Sequence, residues 1–239
     1  MKHFADFYDQ LADKKAAKER ANKVLKYIRK YNPQAKNILE LGTGNGNVLS
    51  NFPKKYKLSG LDIEKRFIRL TKEKVPKANL FTSSMHNFKI NKKFDVIFSI
   101  FDSINFLKNF YQWKETFKTI YQHLGNKGLF IFDVYTPLML KNTKPITHFS
   151  EEQFGFMLTK GTVKGNNLIW NFKIFEKKKN NLYQMHKTLF NEKIFPIKKI
   201  EDQITKYFEI IEKLDEETLK KPTKNSERLI YITKKQNKI

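Results

Sequence analysis

The stretch Asn37-Ile38-Leu39-Glu40-Leu41-Gly42-Thr43-Gly44-Asn45-Gly46 decides how the chain is read. Its first five residues form a short apolar run of the kind that makes a buried strand, and the run enters three alternating glycines. Glycines let a backbone turn tightly and approach a ligand with no side chain in the way. A helix opening at that point would aim its N–H groups at the same ligand. Many nucleotide folds share this device, so the spacing has to discriminate. A dinucleotide fingerprint requires a glycine at position 47, and Asn47 stands there. Glu40 beside the loop would repel a diphosphate at short range and would suit a ligand bearing positive charge. A second acid, Asp62, ends the second predicted strand, Lys57 to Asp62. An acid at that place accepts hydrogen bonds from both hydroxyls of a ribose.

Outward from this loop the pattern is regular. Upstream, Ala17, Ala21, Val24, Leu25 and Ile28 recur at helical spacing until Asn32-Pro33. Downstream, a helix through Phe67, Ile68, Leu70 and Thr71 stops before Pro76, and Ala78 to Thr82 reads as a third strand. Phe94 to Phe101 is a fourth, apolar enough to be buried on both faces. A helix from Trp113 to Leu124 ends at Gly125, and Gly128 to Val134 is a fifth strand. Such alternation predicts an α/β fold, a Rossmann-like, mostly parallel seven-stranded sheet with helices on both faces. After Pro137 the pattern changes. Gly155–Gly161, Leu168–Phe175 and Leu182–Phe190 are β-rich and separated by turn residues, as in antiparallel hairpins. Pro196 to Phe208 returns to helical spacing, with Glu209 to Leu214 and Arg228 to Thr233 as the last strands. The expected organisation is therefore a core over 1–137, a β-rich insertion over 138–195, and a closing helix and strands over 196–239.

Composition narrows the chemistry. The chain has 239 residues and no cysteine, which excludes disulfides, thiolate metal sites and cysteine nucleophiles. The five histidines show no metal-ligand spacing, so no metal is expected. No stretch approaches 18 apolar residues and no signal-like segment opens the chain, so a cytoplasmic protein without membrane contact is expected. The net charge of +23 admits nucleic acid as a partner. Yet arginine, the better phosphate fork, is scarce beside lysine. Lysine spread evenly among Asn, Ile and Phe is what an AT-rich coding bias produces, and a solvated surface is the favoured reading.

Two acids flanking a glycine loop suit S-adenosylmethionine, which carries an ammonium and a sulfonium. Ser84 could bond the adenine amine while Met85 covers the ring, although Met85 reads equally as a buried side chain under a surface loop. Asp102 and Ser103 follow the fourth strand, where they could also cap the next helix, and Asn105 is harder to explain that way. Methyl transfer is an in-line displacement that needs mainly positioning, and a base only where the acceptor arrives protonated. Candidate bases are Asp102, Tyr135, His148 and Tyr8.

These residues resemble the class I S-adenosylmethionine-dependent methyltransferase superfamily, and in particular its small stand-alone bacterial members of unassigned acceptor. The opening Phe4-Ala5-Asp6-Phe7-Tyr8-Asp9-Gln10-Leu11 is similar to a segment whose tyrosine folds over the cofactor. Glu40 to Gly46 resembles the cofactor loop, and Gly60-Leu61-Asp62-Ile63 the ribose acid with its adenine-packing neighbour. Asp102-Ser103-Ile104-Asn105-Phe106-Leu107 is similar to an Asp-Ser-Leu-Asn-Tyr-Leu signature, and Phe132-Asp133-Val134-Tyr135-Thr136-Pro137 to the exit of the fifth strand. Ser226-Glu227-Arg228 also fits. Ser84 and Asn87 depart from the family, which usually has Asp at both places.

The resemblance implies a cofactor set of Tyr8, Glu40, Gly42, Gly44, Gly46, Asp62, Ile63, Ser84, Met85 and Phe101, and an acceptor set of Asn105 and Tyr135. It also implies S-adenosyl-L-homocysteine as product and an insertion that lids a small-molecule acceptor, methylated on N or O. An RNA methyltransferase and a non-catalytic S-adenosylmethionine-binding protein are the competing readings.

Overall fold

The structure, a computed structural model, describes residues 4–236. Helices α1 (Phe4–Leu11) and α2 (Lys14–Tyr31) open the chain. The Asp13 carboxylate accepts from the N–H groups of Lys15 and Ala16, meeting two of the donors that a helix start leaves open. The buried stripe of α2 is the one expected: Ala17, Ala21, Val24, Leu25 and Ile28.

Strands and helices then alternate through β1 (Asn37–Leu41), β2 (Lys57–Asp62), α3 (Lys65–Lys74), β3 (Asn79–Thr82), β4 (Phe94–Ser99), α4 (Phe110–His123), β5 (Leu124–Tyr135) and α5 (Pro137–Asn142). Four strands follow, β6 (Ile146–Glu152), β7 (Gly155–Lys164), β8 (Asn167–Lys177) and β9 (Tyr183–Lys193). The chain closes with α6 (Ile197–Ile204), β10 (Phe208–Asp215) and β11 (Arg228–Lys235).

Seven strands form one sheet in the order β10-β11-β5-β4-β1-β2-β3, all running the same way except β11, which is antiparallel to both its neighbours, β10 and β5. β6 to β9 form a separate antiparallel sheet. This is the class I methyltransferase architecture that the sequence predicted, with the antiparallel sheet inserted after β5. Its core explains the continuous apolar runs. Ile38, Val96, Phe98, Leu129 and Ile131 pack toward α2, while their neighbours Leu39, Ile97, Phe130 and Phe132 pack toward α4 and α6. Central strands buried on both faces have no polar side to display. Among the described residues, no helix is long and apolar enough to cross a membrane.

Two expectations need correction. No α-helix opens at the glycine loop, since a short 3-10 turn, Leu49–Asn51, is the helical element between β1 and β2. Pro53 lacks a backbone donor and restrains Phe52, and Asn51 Nδ2 spends itself on the carbonyl of Asn47 at 2.7 Å. The inserted sheet also begins earlier than the β-rich runs suggest. β6 shows mainly exposed side chains and so lacks the alternation that marks a half-buried strand.

The inserted sheet is fastened over the carboxyl ends of the parallel strands, where ligands of such folds bind. Asn105, wholly buried in the turn Ser103–Phe106 after β4, donates from Nδ2 to the carbonyl of Lys193 on β9 at 2.8 Å. Its Oδ1 accepts from the N–H of Tyr135 at 3.2 Å. Phe4 of α1 packs on Phe172 and Phe190 beneath the same sheet.

Candidate active site

The glycine loop sits between two carboxylates. Glu40 is 3% exposed, and the Thr43 hydroxyl donates to its Oε2 at 3.0 Å. Burial pushes the Glu40 carboxyl well above its ordinary value; Thr43 pulls it back and the nearby Asp62 charge adds to the rise. Asp62 uses both oxygens on backbone: Oδ2 accepts from Gly44 and Oδ1 from Glu64, each at 2.9 Å. Burial raises its pKa too, against the pull of those N–H groups. Above Gly44, whose φ is +52, an added Cβ would meet nothing within 4 Å. The loop therefore presents bare backbone to open space at Gly44, with two nearly buried acids beside it.

Other predicted residues border this space. Tyr8 is half-buried beside Phe67, with ring centroids 5.6 Å apart. Burial raises its phenol pKa, with further upward pushes from Asp102 and Asp62 and a downward pull from Arg20, which places it between the loop and the end of β4. Ile63 is 67% exposed, as an apolar wall beside a ligand would be before the ligand arrives. Met85 reaches toward Gly42, its Cε 3.7 Å from where a Cβ would lie. The Ser84 hydroxyl is bonded to His86 Nδ1 at 2.6 Å and so is not presented freely. A separate cavity of about 510 Å³, bordered by His86, Phe88, Thr119 and His123, shares no residue with the glycine loop.

Beyond β4 the backbone is unusual. Phe101 and Asp102 have φ of 59° and 54°, a left-handed conformation costly for side-chain-bearing residues, by roughly 1–2 kcal/mol each. The Asp133 carboxylate holds them there, accepting from the N–H of Phe101 at 2.8 Å and of Asp102 at 2.7 Å. Arg228 of β11 ion-pairs with Asp102, donates to the Tyr135 hydroxyl, and lies 3.9 Å from Asp133. Arg20 stacks on the Phe101 ring at 3.7 Å. Asp102 thus makes no helix cap; its carboxylate serves the arginine.

Burial raises the carboxyls of Asp102 and Asp133, the latter to about 7, while Arg228 opposes both shifts. Burial and then the Asp102 charge raise the Tyr135 phenol.

Asp102 and Tyr135 therefore meet through Arg228. His148 does not join them: it lies on exposed β6, which the sheet order separates from β9 by two strands. Asn105 was expected to face an acceptor, but both ends of its amide are taken by backbone, and it fastens the inserted sheet instead.

Four participants escaped the predicted site sets, namely Asp133 and Arg228, quoted only inside longer motifs, and Arg20 and Glu192. Glu192, on β9, is 3% exposed, and Trp170 Nε1 donates to its Oε1 at 3.1 Å. Its signal was a charge two residues beyond Phe190, on the inward side of a strand whose predicted end fell too early.

Known proteins share this fold. The family described as "Methyltransferase domain" matches residues 13–168. A solved S-adenosylmethionine-dependent methyltransferase of Clostridium acetobutylicum superposes with a TM-score of 0.85, at 23% identity and 98% coverage of both chains. CalS10 of Micromonospora echinaspora, an amino pentose methyltransferase solved with S-adenosylmethionine bound, gives 0.79 at 15% identity, over 99% of this chain and 98% of that one. The dTDP-3-amino-3,4,6-trideoxy-alpha-D-glucopyranose N,N-dimethyltransferase of Streptomyces venezuelae is 25% identical over 132 residues, covering 54% of this chain and 56% of its own.

Proposed function

The chain belongs to the methyltransferase-domain family and is an S-adenosylmethionine-dependent methyltransferase, and from that premise we propose that it methylates nitrogen or oxygen of a small molecule. The observation that carries the proposal is the covered site. The inserted sheet and α1 close over the strand ends with Phe4, Phe172 and Phe190, a roof better matched to a compact acceptor than to a polymer. Charge supports it. The chain as a whole carries +23, yet the strand ends gather Glu40, Asp62, Asp102, Asp133 and Glu192 against Arg20 and Arg228. Such a site does not attract phosphate polymers. The sugar acceptors of the Streptomyces and Micromonospora proteins are small molecules as well.

The residues fit the cofactor. Two raised carboxylates around bare backbone favour a ligand with positive charge and hydroxyl donors. When bound, S-adenosylmethionine supplies an electrophilic methyl group on its sulfonium. Glu40 would face the cationic amino-acid end, and Asp62, with acceptor capacity to spare on each oxygen, the ribose hydroxyls. Ile63 and Met85 would cover the base, and Tyr8 would exclude water from above. Asp133 and Arg228 hold the loop after β4 in its strained shape, so positioning rests on fixed groups.

Asp62→Ala is expected to weaken S-adenosylhomocysteine binding about 10–100-fold in a calorimetric titration, the worth of hydrogen bonds to a charged group. The same carboxylate holds Gly44 and Glu64, so the melting temperature should also fall by several degrees. Wild-type affinity in the variant would remove Asp62 from the cofactor site.

The acceptor class is tested with S-adenosylmethionine labelled in its methyl group, incubated with the protein and extract of its source. Label in the small-molecule fraction is expected. Label in RNA would instead make the surface charge functional and overturn the small-molecule reading.

A further inference from the structure

Most polar groups around the strand ends have their partners. Asp102 is paired with Arg228, Asp133 takes two backbone N–H groups, the Tyr135 hydroxyl takes Arg228, and Asn105 is fixed at both ends. The Ser99 hydroxyl at the end of β4 is one exception, and Glu192 is the charged one. Trp170 serves one oxygen, while the other, Oε2, is buried with no hydrogen-bond partner among the described residues. A buried carboxylate oxygen left unmet is costly, and a fold retains one where a ligand completes it.

We propose that Glu192 receives the methyl acceptor, its free oxygen holding an acceptor amine and taking the proton that the amine must lose. This rests on the reading of the site as one for small molecules and adds the identity of the acceptor-facing group. Three observations place it there. Glu192 adjoins Lys193, the residue whose carbonyl Asn105 ties to the turn after β4, so it lies over the end of that strand. It interacts electrostatically with Asp102, Asp133 and Arg228. Phe190, which shares its side of β9, packs against Phe106 and Phe172, making the neighbourhood apolar and dry.

Nitrogen is favoured over oxygen by charge. The acids Asp102, Asp133 and Glu192 outnumber the guanidiniums that act on them, Arg228 and Arg20, so the cluster favours an ammonium. A neutral hydroxyl gains much less.

The step balances simply. The acceptor ammonium gives one proton to Glu192 Oε2, freeing the nitrogen lone pair. The new N–C bond forms as the C–S bond breaks, and the electron pair of the broken bond stays on sulfur. The proton on Glu192 then leaves to solvent. Burial first, then Asp102 and Asp133, raise the Glu192 carboxyl to about 8, against the Trp170 N–H and Arg228, which suits a base working near neutral pH.

The test uses the full chain in complex with S-adenosylhomocysteine. Methylammonium chloride is titrated in while the Glu192 carboxyl carbon, identified by its loss in E192Q, is followed by 13C NMR. A saturable shift with methylammonium and none with methanol is expected. No response to methylammonium in a complex that retains S-adenosylhomocysteine would overturn the proposal.

With the acceptor from the labelling experiment, E192Q is expected to lose about 100-fold in kcat/KM, the scale of one general base, while binding S-adenosylhomocysteine as wild type does. Undiminished transfer, or a product whose 13C-methyl signal is insensitive to pH and hence bonded to oxygen, would also overturn it. W170F, should E192Q fold poorly, removes the donor to Oε1 and should move the rate-limiting ionisation to higher pH; an unmoved profile counts against Glu192. Label found in RNA would sink the small-molecule reading instead, and the methylammonium titration distinguishes the two failures.

Discussion

Gly44→Ala is expected to leave the protein folded and to abolish its hold on S-adenosylmethionine, whereas Gly46→Ala, two residues on, should damage the fold first. At Gly44 the added methyl meets nothing within 4 Å, so the stability cost is that of a left-handed alanine, roughly 1–2 kcal/mol. That corresponds to a fall in melting temperature of about 2–8 °C. The methyl would stand in the open space between Glu40 and Asp62, where a ligand needs close approach to backbone. Affinity for S-adenosylhomocysteine should fall about 100-fold or more, some 2.7 kcal/mol.

At Gly46, with φ +78, the same methyl lies 2.8 Å from Thr71 Cα in α3. Backbone cannot swing aside as a side chain can. Overpacking of about 1–3 kcal/mol adds to the left-handed strain and should lower the melting temperature by roughly 4–20 °C. Affinity of the fraction that remains folded should change less than in Gly44→Ala. Thermal melts and calorimetric titrations on both variants decide the matter; matched losses in both would mean that the loop shapes the fold and not the ligand site.

The contrast between those glycines was invisible before the fold was known, because spacing gives both the same standing. What the sequence did make legible was the part written in consecutive elements. β1, β4 and β5 bury both faces, so each appears as a short run dominated by apolar residues, and β2 follows at the spacing such a unit requires. Glu40, Asp62 and Asp102 stand at or just beyond the ends of such runs, where a polar residue is conspicuous. Groups joined across the sheet carry no such mark. Arg228 meets Asp102 over 126 positions of chain, and Asp133 reaches back 31 positions to hold Asp102. Nothing in the spacing announces either bond.

The helix expected after the glycine loop failed for a local reason, since Pro53 and the Asn47–Asn51 contact leave room for one short turn. Net charge is silent about the site for a different reason: a chain of +23 still gathers the buried acids Glu40, Asp62, Asp102, Asp133 and Glu192 near the strand ends, and a sum over all residues hides them.

Arg228→Met should give the largest loss of stability among substitutions at the site, with a pH dependence that identifies its cause. The guanidinium neutralises Asp102 and stands 3.9 Å from Asp133, both nearly inaccessible to solvent. Removing one partner of a buried ion pair typically costs about 3–5 kcal/mol because the other charge is left uncompensated. For a chain of this size that is a melting temperature lower by roughly 6–20 °C. The sign of the pH effect follows from the carboxyls. Asp133 rises on folding from 3.8 to about 7, so the folded state binds the extra proton and stability declines as pH climbs through that window.

Without Arg228, the lowering influence on both carboxyls is gone, their folded values rise further, and the decline extends to higher pH. The deficit of the variant relative to wild type should therefore widen between pH 5 and pH 8. Urea unfolding of both proteins at the two pH values measures it. A deficit of equal size at both would mean that Arg228 contributes by packing on Phe101 and Tyr135, and that the carboxylates beneath it do not depend on its charge.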